Sequence, residues 1–241
     1  MIMNRTKRLI VAILVVHIIG LIAIIAGALF IGHDTDLVKG EKNILVCAID
    51  EGEDRPGMGA CDMAFIIHLK DGTIRNYTPV YPGGLTHPTA AEPMEAQEQG
   101  AGSSLLLHDA FWDADNEQGM QLAKEIVEYQ TNNSIDSVVA INSEALDAIL
   151  SAAGQLEING QLTNASGIDI IREEDWGNGV SRGDAVIDVV KAAATAASSN
   201  PATKSAMINA ALDQYSKGNI IMDQQGAFVE LLASKGFESI F

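Results

Sequence analysis

At 241 residues, with 47% hydrophobic content and 22 glycines, the chain has material for one core of about 200 residues and an appendage, which excludes a disordered polymer. A formal net charge of -17 excludes nucleic-acid backbones as a partner and favours cations instead. The two cysteines, Cys47 and Cys61, make no metal-ligand spacing, and packing in the core is expected of them ahead of a disulfide.

Residues 1–8 carry Arg5, Lys7 and Arg8, and Leu9 to Ile31 follows as 23 residues without a charge. That length crosses about 30 Å of hydrocarbon at about 1.5 Å per residue. The flanking cations predict a cytoplasmic N-terminus and a domain outside the membrane. A cleaved signal peptide fits less well, because Leu29, Phe30 and Ile31 extend the apolar run past Ala26-Gly27-Ala28. The predicted organisation is a cytoplasmic end (1–8), a transmembrane helix (9–31), a tether (32–42) and an extracytoplasmic domain (43–241). Without its three N-terminal cations the chain keeps 12 basic against 32 acidic side chains, about -20.

The organising stretch is Asn43 to Pro93. Ile44 to Ile49 reads as a strand buried on both faces and ends in Asp50. The Gly-rich, charged segment 51–60 reads as a loop, after which Asp62 opens a second strand, Met63 to Leu69. Asp71-Gly72 predicts a two-residue hairpin turn into a third strand, Ile74 to Pro79, closed by Tyr81-Pro82-Gly83-Gly84. In an up-down-up meander one edge collects Asp50, Asp62 and the Pro79–Gly84 turn. Pairing Asp50 with Asp62 sets Phe65 across from Cys47.

His87 to Ser104 reads as a long loop with room for one helical turn, and Leu105 to His108 as a strand leading into an acidic loop. From Glu117, Met120, Ala123, Ile126, Val127 and Gln130 form one helical stripe. Ile135 to Ile141 is a strand, with Asn142 or Ser143 capping the helix Glu144 to Ala153, which Gly154 ends. Leu156 to Leu162 is a small hairpin around Asn159-Gly160. Ser181 and Asp184 open another helix, and Asn200 with Pro201 starts the next, on Met207, Ile208, Ala211, Leu212 and Tyr215. A last helix is capped by Asp223. The predicted fold class is α/β, a mixed β-sheet sandwiched by helices and preceded by one transmembrane helix.

Asp50 and Asp62 are candidate metal ligands, because a hard cation such as Mg2+ takes carboxylate oxygens and completes its shell with water or phosphate. The alternative is two carboxylates that merely end strands. Arg172 and Arg182 are candidate catalytic residues: a guanidinium fork suits phosphate, and salt bridges to Glu173, Glu174 or Asp184 are the other use. Arg55 and Tyr81 are further candidate substrate-binding residues. His87 and His108 read as structural, since no nucleophile elbow accompanies them. Asn76, Asn132 and Asn164 lie in glycosylation-type sequons.

The N-terminal anchor, NILVCAID, GACDMAF, the TP…P turn, SIDSVVAINSEALDAILSAAGQLEING and KSAMINAALDQYSKGNIIMDQQGAFVELLASKG together resemble the LytR-CpsA-Psr family over residues 41 to 236. TPVYPGGLTHP resembles a membrane-anchored, archaeal-type branch of such domains. The resemblance implies an extracytoplasmic α/β domain that transfers glycosyl-phosphate from a polyprenyl-diphosphate-linked glycan to an envelope acceptor with Mg2+. It assigns the metal to Asp50 and Asp62 and the diphosphate to Arg182 and Arg172. Two further arginines of the family pattern are Ala60 and Val80 here. Each charge-assisted phosphate contact contributes about 1.5–3 kcal/mol, so their loss weakens that substrate by orders of magnitude. Two functions therefore stand open: a divergent glycosyl-phosphate transferase of the cell envelope, or a non-catalytic surface binding or scaffold module.

Overall fold

The computed structural model describes residues 37, 39–53, 55–158, 161–163, 182–224 and 227–228, with backbone alone at 161, 163 and 182–187. Two units divide at residue 34, and the second, Thr35–Phe241, is the one described. Among the described residues no helix is long and apolar enough to cross a membrane; the predicted span 9–31 lies outside them.

Strands β1 (Glu41–Asp50), β2 (Ala60–Lys70) and β3 (Thr73–Val80) form the expected antiparallel meander. Asp71 and Gly72 both take positive φ (50° and 74°), as a two-residue hairpin turn requires. Beyond β1 the sheet continues with β6 (Ser137–Asn142), parallel to it, and β9 (Ile220–Met222), giving the order β3-β2-β1-β6-β9. The sheet is mixed and the fold is α/β.

Alternation along β1 sends Leu45, Cys47 and Ile49 to one face and Ile44, Val46 and Ala48 to the other. The first face packs on helix α2 (Asn116–Thr131) through Met120, Ala123, Ile126 and Val127, with Phe111 and Leu107 buried beside them. The second packs on α3 (Ser143–Ala153), α4 (Arg182–Ser199) and α5 (Pro201–Lys217), helices whose buried stripes include Leu150, Val189 and Met207. A strand covered on both faces needs apolar residues at every position, which is why β1 reads as an unbroken hydrophobic run.

The caps follow local chemistry. Asn142 Oδ1 accepts from Ala145 N, and Asn200 Oδ1 accepts from Ala202 N with Pro201 at the first turn. Gly218 closes α5 in the left-handed conformation. The hairpin expected near Asn159 is β7 (Leu156–Ile158) against β8 (Gln161–Thr163).

Four expectations are corrected. The segment read as a loop from His87 to Ser104 holds the expected helical turn, α1 (Met94–Glu98), and also a strand, β4 (Thr86–Ala91), that pairs with β5 (Ser104–Leu106). The strand expected to reach His108 stops at Leu106 and tightens into a 3-10 turn, Leu107–Asp109. Gln130 leaves the buried stripe, its amide donating to Thr86 O at 2.7 Å. β9 has no counterpart among the expected strands; Asp223 follows it and accepts a hydrogen bond from Ser137 Oγ, and Ala227 and Phe228 of the expected last helix are helical.

Candidate metal centre

The edge where β1 ends and β2 begins does not have the expected register. Asp50 lies opposite Ala60, Ile49 opposite Cys61 and Ala48 opposite Met63, so Asp62 is the extra residue of a β-bulge. Cys47 faces Ala64, not Phe65. A bulge breaks the two-residue alternation and re-aims the side chain it carries. Here Asp62, itself half-buried, sits between the fully buried Cys61 and the buried Met63. Both cysteines are buried and free, and burial pushes the Cys61 thiol up.

The segment 51–59 joining the strands is tied down at several points. Glu51 accepts from Ser143 N (3.1 Å) and Ser143 Oγ (2.6 Å), which pins it to the start of α3. Asp50 Oδ1 accepts from Gly52 N at 2.8 Å. Gly57 N donates to Trp112 O at 2.7 Å, and a Cβ on Gly57 would meet Phe111 O at 2.2 Å, so only glycine allows that approach. The loop is thereby held against the segment that carries His108 and Asp109.

Between the two segments sits Arg55, its side chain 4% exposed. One arm reaches Asp109 Oδ1 (2.6 Å) and His108 O (3.1 Å); the other reaches Glu53 Oε2 (2.8 Å). The guanidinium lies over the Trp112 ring, 4.9 Å from its centre. His108 stands between carboxylates, with Nε2 at 3.2 Å from Asp62 Oδ1 and 3.8 Å from Glu53 Oε1, and Nδ1 at 3.1 Å from Asp109 Oδ1. Hydrogen bonds to Asp109 and Asp62 push its pKa up to about 9, against the opposing effects of burial and Arg55. Nδ1 also lies 3.2 Å from Arg55 Nη2, but a guanidinium only donates and Asp109 only accepts. The ring's Nδ1–H therefore goes to Asp109, and Arg55 Nη2 donates to Glu53.

Burial raises the Asp109 carboxyl, but the His108 hydrogen bond and the Arg55 charge prevail and hold it below the usual carboxylate range. Behind it, Glu92 is 3% exposed: Oε1 accepts from Leu106 N at 2.7 Å, while buried Oε2 meets no donor. Burial first, then the Asp109 charge, raise Glu92 to about 7. A protonated Glu92 can donate from Oε2 to Asp109, which satisfies the orphaned oxygen.

Glu53, Asp62 and His108 thus each offer a ligand atom, all within 4.8 Å of one another, the one such group among the described residues. Of the six residues the sequence singles out, Asp62 belongs to this group. Asp50, 3% exposed, does not. Arg55 lies beside the group as the partner of Glu53 and Asp109. Tyr81 is exposed at 64% just past β3. Arg172 falls outside the described residues, as does the side chain of Arg182, whose backbone opens α4. Glu53 does not stand out in the sequence, and His108, read there with His87 as structural, instead offers Nε2 to this group; the signal that could have found it is the His-Asp pair closing an apolar run. His87, by contrast, is structural as expected, accepting from Ala90 N (2.8 Å) and pairing with Glu125 (2.8 Å). Ala60 and Val80, which stand where the family pattern has arginines, are both buried in the core. A cavity of about 520 Å³ lies elsewhere, between the β7–β8 hairpin and α4, lined by Leu156, Ile158, Leu162, Asp188 and Lys191 among others.

A family model described as "Protein of unknown function (DUF4012)" matches residues 39–176. No curated protein matches the chain. Among solved structures, protein gbs0355 from Streptococcus agalactiae is similar with a TM-score of 0.57 and 13% identity, over 86% of this chain and 78% of that one. Bacillus subtilis TagV follows at 0.54 and 14% (84% and 83% covered), and a LytR-Csp2A-Psr enzyme from Actinomyces oris at 0.54 and 12% (84% and 77%). TagT, solved bound to LI-WTA, gives 0.53 and 14% (86% and 78%). At these identities the likeness establishes the fold alone, one shared with the LytR-Csp2A-Psr enzyme, as the sequence resemblance implies.

Proposed function

The chain belongs to the DUF4012 family of proteins of unknown function, and from that premise we propose that it is a membrane-anchored, extracytoplasmic domain that handles a phosphate-linked glycan in cell-envelope assembly. The carrying observation is the Glu53–Asp62–His108 group at the open end of β1 and β2, in a fold shared with envelope proteins such as the one solved with LI-WTA. A net charge of -17 makes an anionic substrate unwelcome unless a cation intervenes, and this is the described group able to hold one.

In this reading Asp62 and Glu53 hold a divalent cation, which when bound would screen the substrate's phosphate charge. Magnesium, the ion the resemblance implies, takes oxygen ligands and keeps several waters. The two carboxylates fit it; the imidazole between them does not. Arg55 keeps Glu53 and Asp109 in place and is too buried to meet phosphate itself. Arg172 and Arg182 are proposed to bind the diphosphate, and exposed Tyr81 the sugar or lipid beside it. The segment 9–31 is proposed as the anchor, with the domain outside the membrane.

The burial of Ala60 and Val80 favours a second reading, a module that binds the surface polymer without transferring it, because two phosphate-binding cations are absent. Thermal unfolding of the full chain in detergent, with polyprenyl phosphate, a divalent cation, or both, tests the shared part of the two. Ligand at a 100-fold excess over Kd stabilises by about 2.7 kcal/mol. At roughly 2–4 °C per kcal/mol for a domain of this size, that shift is readily measured. The shift is expected to need both components and to vanish in Asp62→Asn. No shift in the parent protein sinks the proposal, and turnover of a lipid-linked glycan separates transferase from binding module.

A further inference from the structure

The geometry points to a divalent-cation site with one nitrogen ligand, formed by Glu53 Oε1, Asp62 Oδ1 and His108 Nε2, that prefers an imidazole-binding ion such as Zn2+ over Mg2+. It deepens the reading above, since it concerns the same edge and the same Asp62, and it starts from the misfit between magnesium and this donor set.

Three observations carry it. The first is spacing. Metal–ligand bonds of about 2.0–2.2 Å separate neighbouring ligand atoms by roughly 3.0–3.5 Å in tetrahedral or octahedral geometry. His108 Nε2 and Asp62 Oδ1 are 3.2 Å apart, and Nε2 and Glu53 Oε1 are 3.8 Å apart. Glu53 is 44% exposed, so a few tenths of an ångström of closure costs it little.

The second is orientation from outside the group. A metal-binding histidine characteristically donates its other ring N–H to a carboxylate, which fixes the ring and raises its basicity. His108 Nδ1 has that partner, Asp109 Oδ1 at 3.1 Å, a carboxylate buried to 5% exposure and held in turn by Arg55 at 2.6 Å. The same Arg55 occupies Glu53 Oε2 and leaves Oε1 on the His108 side. One buried cation therefore orients two of the three ligands.

The third is chemistry. Imidazole suits Zn2+, Cu, Fe and Ni, whereas carboxylate, carbonyl and water suit Mg2+, Ca2+ and Mn2+. Where an ion enters, the proton shared between Nε2 and Asp62 leaves to solvent and both atoms turn to the metal.

The test uses the full chain in detergent, stripped of metal and titrated calorimetrically with Zn2+, Mn2+ and Mg2+. One site is expected, at least about 10-fold tighter for Zn2+ than for Mg2+, with His108→Ala removing the preference. Asp109→Asn keeps the ligand but loosens its orientation, and is expected to weaken binding about 10- to 100-fold. Pulsed electron paramagnetic resonance of the Mn2+-loaded parent should show modulation from a directly bound imidazole nitrogen. That measurement needs no variant to fold. Modulation that persists in His87→Ala and disappears in His108→Ala supports the assignment. Absence of nitrogen modulation, or Mg2+ binding as tightly as Zn2+, overturns it while leaving an oxygen-ligated envelope function intact. A nitrogen-ligated ion with no response to polyprenyl phosphate would instead retain this site and remove the proposed function.

Discussion

The two ends of the β1–β2 pair are both polar, yet they are built on opposite principles. At the end near the Asp71-Gly72 turn, charges and polar atoms meet complementary ones. Asp136 accepts from Asn43 N (2.8 Å) and from Lys42 Nζ (3.2 Å), and Asn43 in turn donates to Ser134 O. His68 lies between neutral partners, Asn43 Oδ1 and Thr78 Oγ1, at 2.8 and 2.9 Å. At the opposite end Glu53, Asp62, Asp109 and Glu92 crowd around one guanidinium and one imidazole. The first end locks strands to a loop. The second gathers more carboxylate than its cations neutralise, an arrangement that serves an added positive charge better than it serves stability.

The largest expected way to break this contrast is Arg55→Ala. It leaves Asp109 buried without its cation and frees Glu53 from its anchor, and removing one partner of a buried pair costs about 3–5 kcal/mol. Denaturant unfolding measures it; a loss below 1 kcal/mol would mean the site end is no more demanding than the turn end. Asp136→Ala is the matching change at the turn end. It removes acceptors for one backbone N–H and one half-exposed lysine, for an expected loss of about 1–2 kcal/mol, with metal binding unchanged.

A third effect is in the pH dependence of the metal-free protein. Glu92 is raised to about 7 from 4.5, so its contribution to stability is full below about 4.5 and is lost as pH rises through 7. His108 is raised to about 9 from 6.5, so its contribution is full below about 6.5 and is lost as pH rises through 9. Both effects act in the same direction, in adjoining windows. Asp109 is lowered, so its contribution is present at neutral pH and disappears in acid. Unfolding free energy should therefore decline between pH 4.5 and 9, and Glu92→Gln should flatten the lower part alone. A decline unaltered by that substitution would show that Glu92 does not titrate with folding.

Much of this was legible in the chain itself. The Asp71-Gly72 turn, the doubly buried β1, the Asn142 and Asn200 caps and the stripe of α2 all depend on residues within a few positions of one another. Such choices are set by backbone sterics, hydrogen bonds to near neighbours and hydrophobic period, which a linear text preserves. Asp62 was also legible, as an acid at the mouth of a strand. Tertiary packing alone decided the rest: the bulge that takes Asp62 out of register with Asp50, the meeting of Arg55 with His108 and Asp109 some 53 residues away, and the short strand β9 completing the sheet. A bulge and a buried ion pair exist only once two distant segments press against each other, because their energies come from desolvation and contact across that interface, and no local pattern records which segments will meet.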